Sequence, residues 1–202
     1  MTVPDVIHDW NGPPPAGLRP VALHDETLRD GLQSPSVRDP SLPDKIAVLR
    51  LLARCGVHSV NVGLPGNSPR GLTHVRGLLE AIRDERLPVR ATVACRTHAD
   101  DIQPAIDVAA ETGVPLEAMM FLGASPIRVY AESWSEDELE RRTRAAVRLA
   151  ASGGLGLAFV TEDTVRSRPE TLERLYRAAI EEGATRLVLT DTVGHALPRG
   201  VR

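Results

Sequence analysis

The segments ARCGVHSVNVGLPG, AAETGVPLEAMMFLG and AIEEGATRLVLTDTVG all read the same way: a helix end, a glycine stop, a short apolar run, then a polar loop. Glycine just past a helix supplies the left-handed residue that ends it. The short β-branched run that follows is strand-like. The candidate strands are Arg19–His24, His58–Gly63, Val89–Cys95, Leu116–Leu122, Leu155–Val160 and Arg186–Thr190. Between them, helical periodicity marks Pro43–Cys55, Pro69–Glu85, Ala99–Thr112, Ser135–Ala151 and Pro169–Glu182. Ser135 and Glu138 have capping-box spacing, and Pro43 and Pro169 stand near first helical positions.

Strands joined by helices must run parallel, because a parallel pair needs a long crossover. A doubly wound sheet and a (β/α)8 barrel both satisfy the pattern. No G-x-G-x-x-G follows the first strand, and nearly every strand ends in a polar or glycine-rich loop, which favours the α/β class with a TIM barrel. Eight units take ~250 residues. The 202 residues here hold about six of the eight βα units, so residues 19–202 read as a partial barrel domain. Residues 1–18, around Pro13-Pro14-Pro15, read as an N-terminal arm. The first and last strands are then open edges, and the isolated chain is expected to be poorly stable or aggregation-prone unless something closes it.

Basic and acidic residues number 24 and 27, for a net charge of −3, and 3% of residues are aromatic. That balance argues against nucleic acid or an anionic membrane as partner. With no apolar run near ~20 residues, the expectation is a cytoplasmic protein. Cys55 and Cys95 have no metal or disulfide spacing, and both are expected to be buried thiols. Lys45, the single lysine among these residues, reads as base composition rather than chemistry.

Chemistry concentrates in three loops. His24–Gln33 holds three carboxylates, Arg29, a histidine and an amide directly after the first strand. Arg29 is a fixed fork for an oxyanion, and Asp30 is a hard oxygen ligand. On charge density alone, a solvated acidic turn with a surface ion pair is the favoured reading. Thr161–Arg166 and Thr190–His195 follow the fifth and sixth strands, and each also reads as an ordinary turn and cap. Three such clusters at equivalent positions point to one shared rim.

DETLRDGLQSP at Asp25–Pro35, VTEDTVRSRPE at Val160–Glu170 and LTDTVGHALP at Leu189–Pro198 together resemble a metal-dependent α-keto-acid condensing family. It comprises the 2-isopropylmalate, citramalate and homocitrate synthases, with 3-hydroxy-3-methylglutaryl-CoA lyase related. RDGLQ is lyase-like, while EDTVRS points to the synthase branch, which is preferred. The resemblance implies a TIM barrel and an acyltransferase that condenses acetyl-CoA with a 2-oxo acid. The alternatives are a hydroxymethylglutaryl-CoA lyase-like reaction and a non-catalytic barrel remnant. Asp30 would be a ligand of a divalent metal (Mg2+, Mn2+ or Zn2+). Arg29 would stabilise charge developing on oxygen, Glu162 and Thr192 would touch the keto acid or order the site, and Gln33 would support the Arg29 loop. Arg96, in CRTHADDI, matches a family arginine on the same rim, and a pairing with Asp100 or Asp101 is its other reading. Synthases carry two further metal ligands in an H-x-H-N-D segment on the seventh strand, which these residues do not contain. They also commonly have histidine at Met119 and Arg128, serine at Val160 and glutamate at Asn61. A homo-oligomer, or completion by further chain, is expected.

Overall fold

The computed structural model describes residues 20–201, so the expected N-terminal arm lies outside the described residues. Six parallel strands form one sheet in sequence order: β1 (His24–Asp25), β2 (Ser59–Asn61), β3 (Arg90–Arg96), β4 (Leu116–Gly123), β5 (Gly156–Glu162) and β6 (Arg186–Leu189). A doubly wound sheet must reverse its strand order at a switch point. Here each new strand is added on the same side of the last. With right-handed crossovers, that rule puts every helix on one face and leaves the other as a lumen. The result is a half-barrel.

The crossovers are α1 (Leu42–Arg54), α2 (Pro69–Asp84), α3 (Ala99–Thr112), α5 (Glu136–Ser152) and α6 (Pro169–Glu181), with short helices α4 (Pro126–Glu132) and α7 (Pro198–Val201). Their ends obey local chemistry. The hydroxyls of Ser41, Ser68 and Ser135 accept the amides of Asp44, Gly71 and Glu138. Only half of the anticipated capping box forms, because Glu138 turns to Arg141 and Arg142 instead of back to Ser135. Gly56 and Gly113 take φ of +79° and +66°, as C′ glycines should.

Alternation along the strands separates two apolar clusters. Val60, Val93, Met120, Leu157 and Phe159 face the helices and belong to the main core. Met119, Ala158 and Val160, with Phe121 and Val188 against them, line the lumen. Adjacent residues on one strand thus serve opposite layers.

Three expectations need correction. The first strand contracts to His24–Asp25, and Val21 and Leu23 before it are exposed, because an edge strand has only one neighbour to pair with. Helix α4 is not among the helices the periodicity predicts, because its seven residues are too few to show it. Cys55 is exposed, since it caps α1 on the outer surface, while Cys95 is buried as expected. Lys45 also has a packing role. It is buried between α1 and α2, 2.6 Å from Asp39 and 3.1 Å from His74 Nδ1.

Candidate active site

The loop after β1 is shaped by its own residues. Asp25 Oδ1 accepts the Thr27 amide at 2.9 Å, and the Glu26 carbonyl accepts the amides of Arg29 (3.1 Å) and Gly31 (3.0 Å). Leu28 is driven into the main core, at 3% exposure, which anchors the turn and leaves Arg29 and Asp30 on the rim. Arg29 then uses its whole fork. Nε donates to Glu26 Oε2 at 2.9 Å, Nη2 stands 2.9 Å from the same oxygen as an ion pair, and Nη1 donates to Asp30 Oδ1 at 3.0 Å. Such charge-assisted bonds are the strong class. Asp30 opens a one-turn helix, Asp30–Gln33, and its side chain is 64% exposed. Gln33 is exposed and makes no side-chain hydrogen bond among the described residues.

Glu26 was not singled out by the sequence, yet it is the most connected group here. His24 Nε2 lies 2.9 Å from its Oε1, and Asn61 Nδ2 donates to the same oxygen at 3.1 Å. Burial pushes the Glu26 carboxyl up. The hydrogen bonds from His24 and Asn61 and the charge of Arg29 more than reverse this and hold it below the usual range. The signal that could have found it was its place among three carboxylates beside one arginine; which of the three the arginine chooses depends on the strands.

The loops after β3, β4 and β5 frame a cavity of about 440 Å³ lined by Arg96, Phe121, Gly123, Arg128, Trp134 and Glu162, among others. Arg96 binds Asp101 in two-pronged fashion, Nε to Oδ2 at 2.8 Å and Nη2 to Oδ1 at 2.7 Å. Asp101 is fully buried and also accepts the Arg96 amide at 2.9 Å. The pairing reading of Arg96 is therefore realised, and Nη1 is left for the cavity. Glu162 Oε1 lies 3.8 Å from Arg128 Nε, and Arg128 also pairs with Glu132 at 3.2 Å. The Arg128 guanidinium lies against Gly123, where a Cβ would come within 2.8 Å of Nε.

Thr192 lies outside that cavity lining and ties two loops together: its Oγ1 accepts the Asp163 amide at 2.8 Å. Asp163 takes a left-handed φ of +62° and is bound by Arg166 through two bonds of 2.7 Å. Asp191 accepts the amides of His195 (2.8 Å) and Ala196 (3.0 Å), which hold its carboxyl below the usual range. Each rim cluster thus contains one aspartate spent on the turn itself, namely Asp25, Asp163 and Asp191. Asp30 and Glu162 are the carboxylates left less committed.

The structure therefore brings Arg29 and Asp30 together at one place and Arg96 and Glu162 at another; neither Arg29 nor Asp30 lines the cavity. The lumen wall joins the two groups. Asn61 touches Met119 Sδ at 3.8 Å, and Met119 packs with Val160 and Phe121. No group of three His, Cys, Asp or Glu side chains able to hold a metal occurs among the described residues. Asp30 alone offers a single carboxylate, its Oδ1 already drawn to Arg29, so these residues by themselves do not fit a divalent ion.

A parallel half-barrel with its polar groups gathered on the rim after the strands places this chain among the α/β barrel proteins. Residues 20–202 match the HMGL-like family, and the chain belongs to that family. It is 34% identical over 180 residues to a 2-isopropylmalate synthase of Halothermothrix orenii (strain H 168), covering 88% of this chain and 34% of the relative. It is 31% identical over 182 residues to the homocitrate synthase AksA of Methanothermobacter thermautotrophicus, covering 90% of this chain and 44% of the relative. The chain spans about a third to somewhat under half of the length of these curated relatives. Streptococcus suis SuiB, solved bound to its precursor peptide SuiA, superposes with a TM-score of 0.53 at 16% identity over 83% of this chain and 39% of that one, a likeness of fold alone. Among the described residues no helix is long and apolar enough to cross a membrane.

Proposed function

We propose that this chain forms the larger part of the barrel domain of a cytoplasmic acyltransferase that condenses acetyl-CoA with a 2-oxo acid, as a 2-isopropylmalate synthase does. The observation that supports this most is Arg29, held on the rim after β1 by Glu26 and Asp30 in a chain of that family. In the condensation, the methyl carbon of acetyl-CoA loses a proton and attacks C2 of the 2-oxo acid, forming a C–C bond. Hydrolysis of the thioester then frees CoA. The keto oxygen becomes an alkoxide, and an arginine with fixed donors stabilises that charge without reorganising. Glu162 and Arg96, on the rim beyond the lumen wall from Arg29, would reach the same keto acid from the other side, with Arg96 offering Nη1 to its carboxylate, and Gln33 and Thr192 would shape the neighbouring loops. A divalent metal (Mg2+, Mn2+ or Zn2+) would draw one ligand from Asp30 and the others from beyond the described residues, contributed by further chain or by a second copy.

Release of free CoA from acetyl-CoA, with a panel of 2-oxo acids and each metal in turn, tests the reading. Turnover is expected with one class of 2-oxo acid. Arg29→Ala should lower kcat/KM by on the order of 10²–10³-fold, the loss seen when a single oxyanion donor is removed. Undiminished turnover would remove Arg29 from its role. The second reading, a lyase, is favoured by the Arg29–Gln33 run; it expects cleavage of a 3-hydroxyacyl-CoA in the same preparation and no condensation.

A further inference from the structure

A line of polar side chains runs without a break from β2 to the rim. Ser59 Oγ lies 2.8 Å from His24 Nδ1, and His24 Nε2 lies 2.9 Å from Glu26 Oε1. A carboxylate only accepts, so Nε2 carries the proton, and in the neutral ring Nδ1 takes the Ser59 hydroxyl. On the far side, Glu26 Oε2 accepts from Nε of Arg29 and pairs with Nη2 at 2.9 Å. Asn61 secures the carboxylate from a second direction. Its amide cannot turn away, because it is fully buried and its Oδ1 accepts the Gly63 amide at 3.2 Å, which aims Nδ2 at Glu26.

We propose that Glu26 is a positioning residue: its carboxylate, held by one residue of β1 and one of β2, sets the direction in which Arg29 presents its guanidinium. The backbone bonds of the loop fix only where the arginine starts, and four rotatable bonds lie between that point and the fork. Asp30 is a poorer guide, since it touches only Nη1 and its side chain is 64% exposed, against 30% for Glu26. The Glu26 carboxylate accepts three hydrogen bonds, one from each of three neighbours, and each of those neighbours is itself buried or less than one-third exposed. A ligand that draws Asp30 away therefore leaves Arg29 still aimed.

This inference rests on Arg29 being the group that meets the 2-oxo acid, so guanidinium position and turnover are read separately. The full chain is labelled with ¹⁵N, and the Arg29 Nε–Hε resonance is assigned by its loss in Arg29→Lys. In Glu26→Gln that resonance is expected to move towards those of exposed arginines and to exchange with water at least about tenfold faster. In the same variant kcat falls on the order of 10²-fold, with KM for the 2-oxo acid changing less. Asn61 Nδ2 is 3.1 Å from the carboxylate, so Glu26→Gln combined with Asn61→Glu returns a carboxylate to the same spot and restores both readouts. A Glu26→Gln protein whose Arg29 resonance and exchange match the parent overturns the proposal, whatever its turnover. If the resonance moves and is restored while no 2-oxo acid is turned over even by the parent, the positioning role stands and the functional reading fails. Should Glu26→Gln not fold, Glu26→Asp takes its place: a displaced resonance supports the proposal and an unmoved one overturns it.

Discussion

Asp101 shows how a single carboxylate can decide a local structure. It is fully buried and receives the backbone amide and both prongs of Arg96. Burial alone would raise its pKa, but the hydrogen bonds and charge of Arg96 bring it below the ordinary value. A carboxyl depressed by folding stabilises the native state at any pH above its unfolded value of ~3.9, and that contribution disappears as pH falls through the lower folded value. Asp101→Asn should therefore lower stability at pH 7 by about 2 kcal/mol. It should also flatten the loss of stability below about pH 4; urea midpoints at pH 3 and 7 read both. The two thiols make a second contrast. Burial pushes the Cys95 thiol up to about 12, while Cys55 is exposed. One thiol should react with a disulfide reagent in the native chain and two in denaturant. That contrast was invisible in the sequence, where both cysteines are simply isolated thiols, each next to an arginine.

At the scale of elements, the strand and helix order was legible almost throughout, because caps, glycine stops and apolar periods act within a few residues. Helix α3 coincides with its expected bounds, Ala99–Thr112. What lay beyond reach was contact between loops. Gly66, in the short helix Pro65–Asn67 after β2, lies so close to the start of α3 that a Cβ would stand 2.5 Å from Asp101 Cα. Gly66→Ala should thus cost about 1–3 kcal/mol, as overpacked backbone contacts do. Thermal denaturation checks it, and an unchanged midpoint would show that the two loops can part freely. The three rim motifs were legible as clusters, whereas their division of labour was not. Asp25, Asp163 and Asp191 look as reactive in the sequence as Asp30 and Glu162, and only the amides and guanidinium around them reveal that they hold turns together.

For the whole molecule, the consequence of six strands in order is a sheet with two unpaired sides. β1 pairs only with β2 and β6 only with β5 among the described residues. Leu23 at 57% and Leu189 at 67% exposure stand at those edges, with Val193 and Leu197 exposed just beyond β6. Unpaired edge groups beside exposed apolar side chains are templates for further pairing. The isolated chain should self-associate with rising concentration in light scattering, and Leu189→Lys should suppress this; a monomer at all concentrations would contradict it.

Sequence alone determined the alternation of strands and helices, the parallel direction, the partial barrel and the family, since each depends on short-range patterning or on motifs read in order. Tertiary structure decided which carboxylate Arg29 answers to, that Arg96 is half consumed by Asp101, and that Cys55 faces solvent. Glu26 meets Asn61 across 35 positions of chain, and His24 meets Ser59 across the same interval. Such pairings exist only once β1 and β2 are in register, because a hydrogen bond depends on where two backbones place its partners and not on the spacing of letters between them.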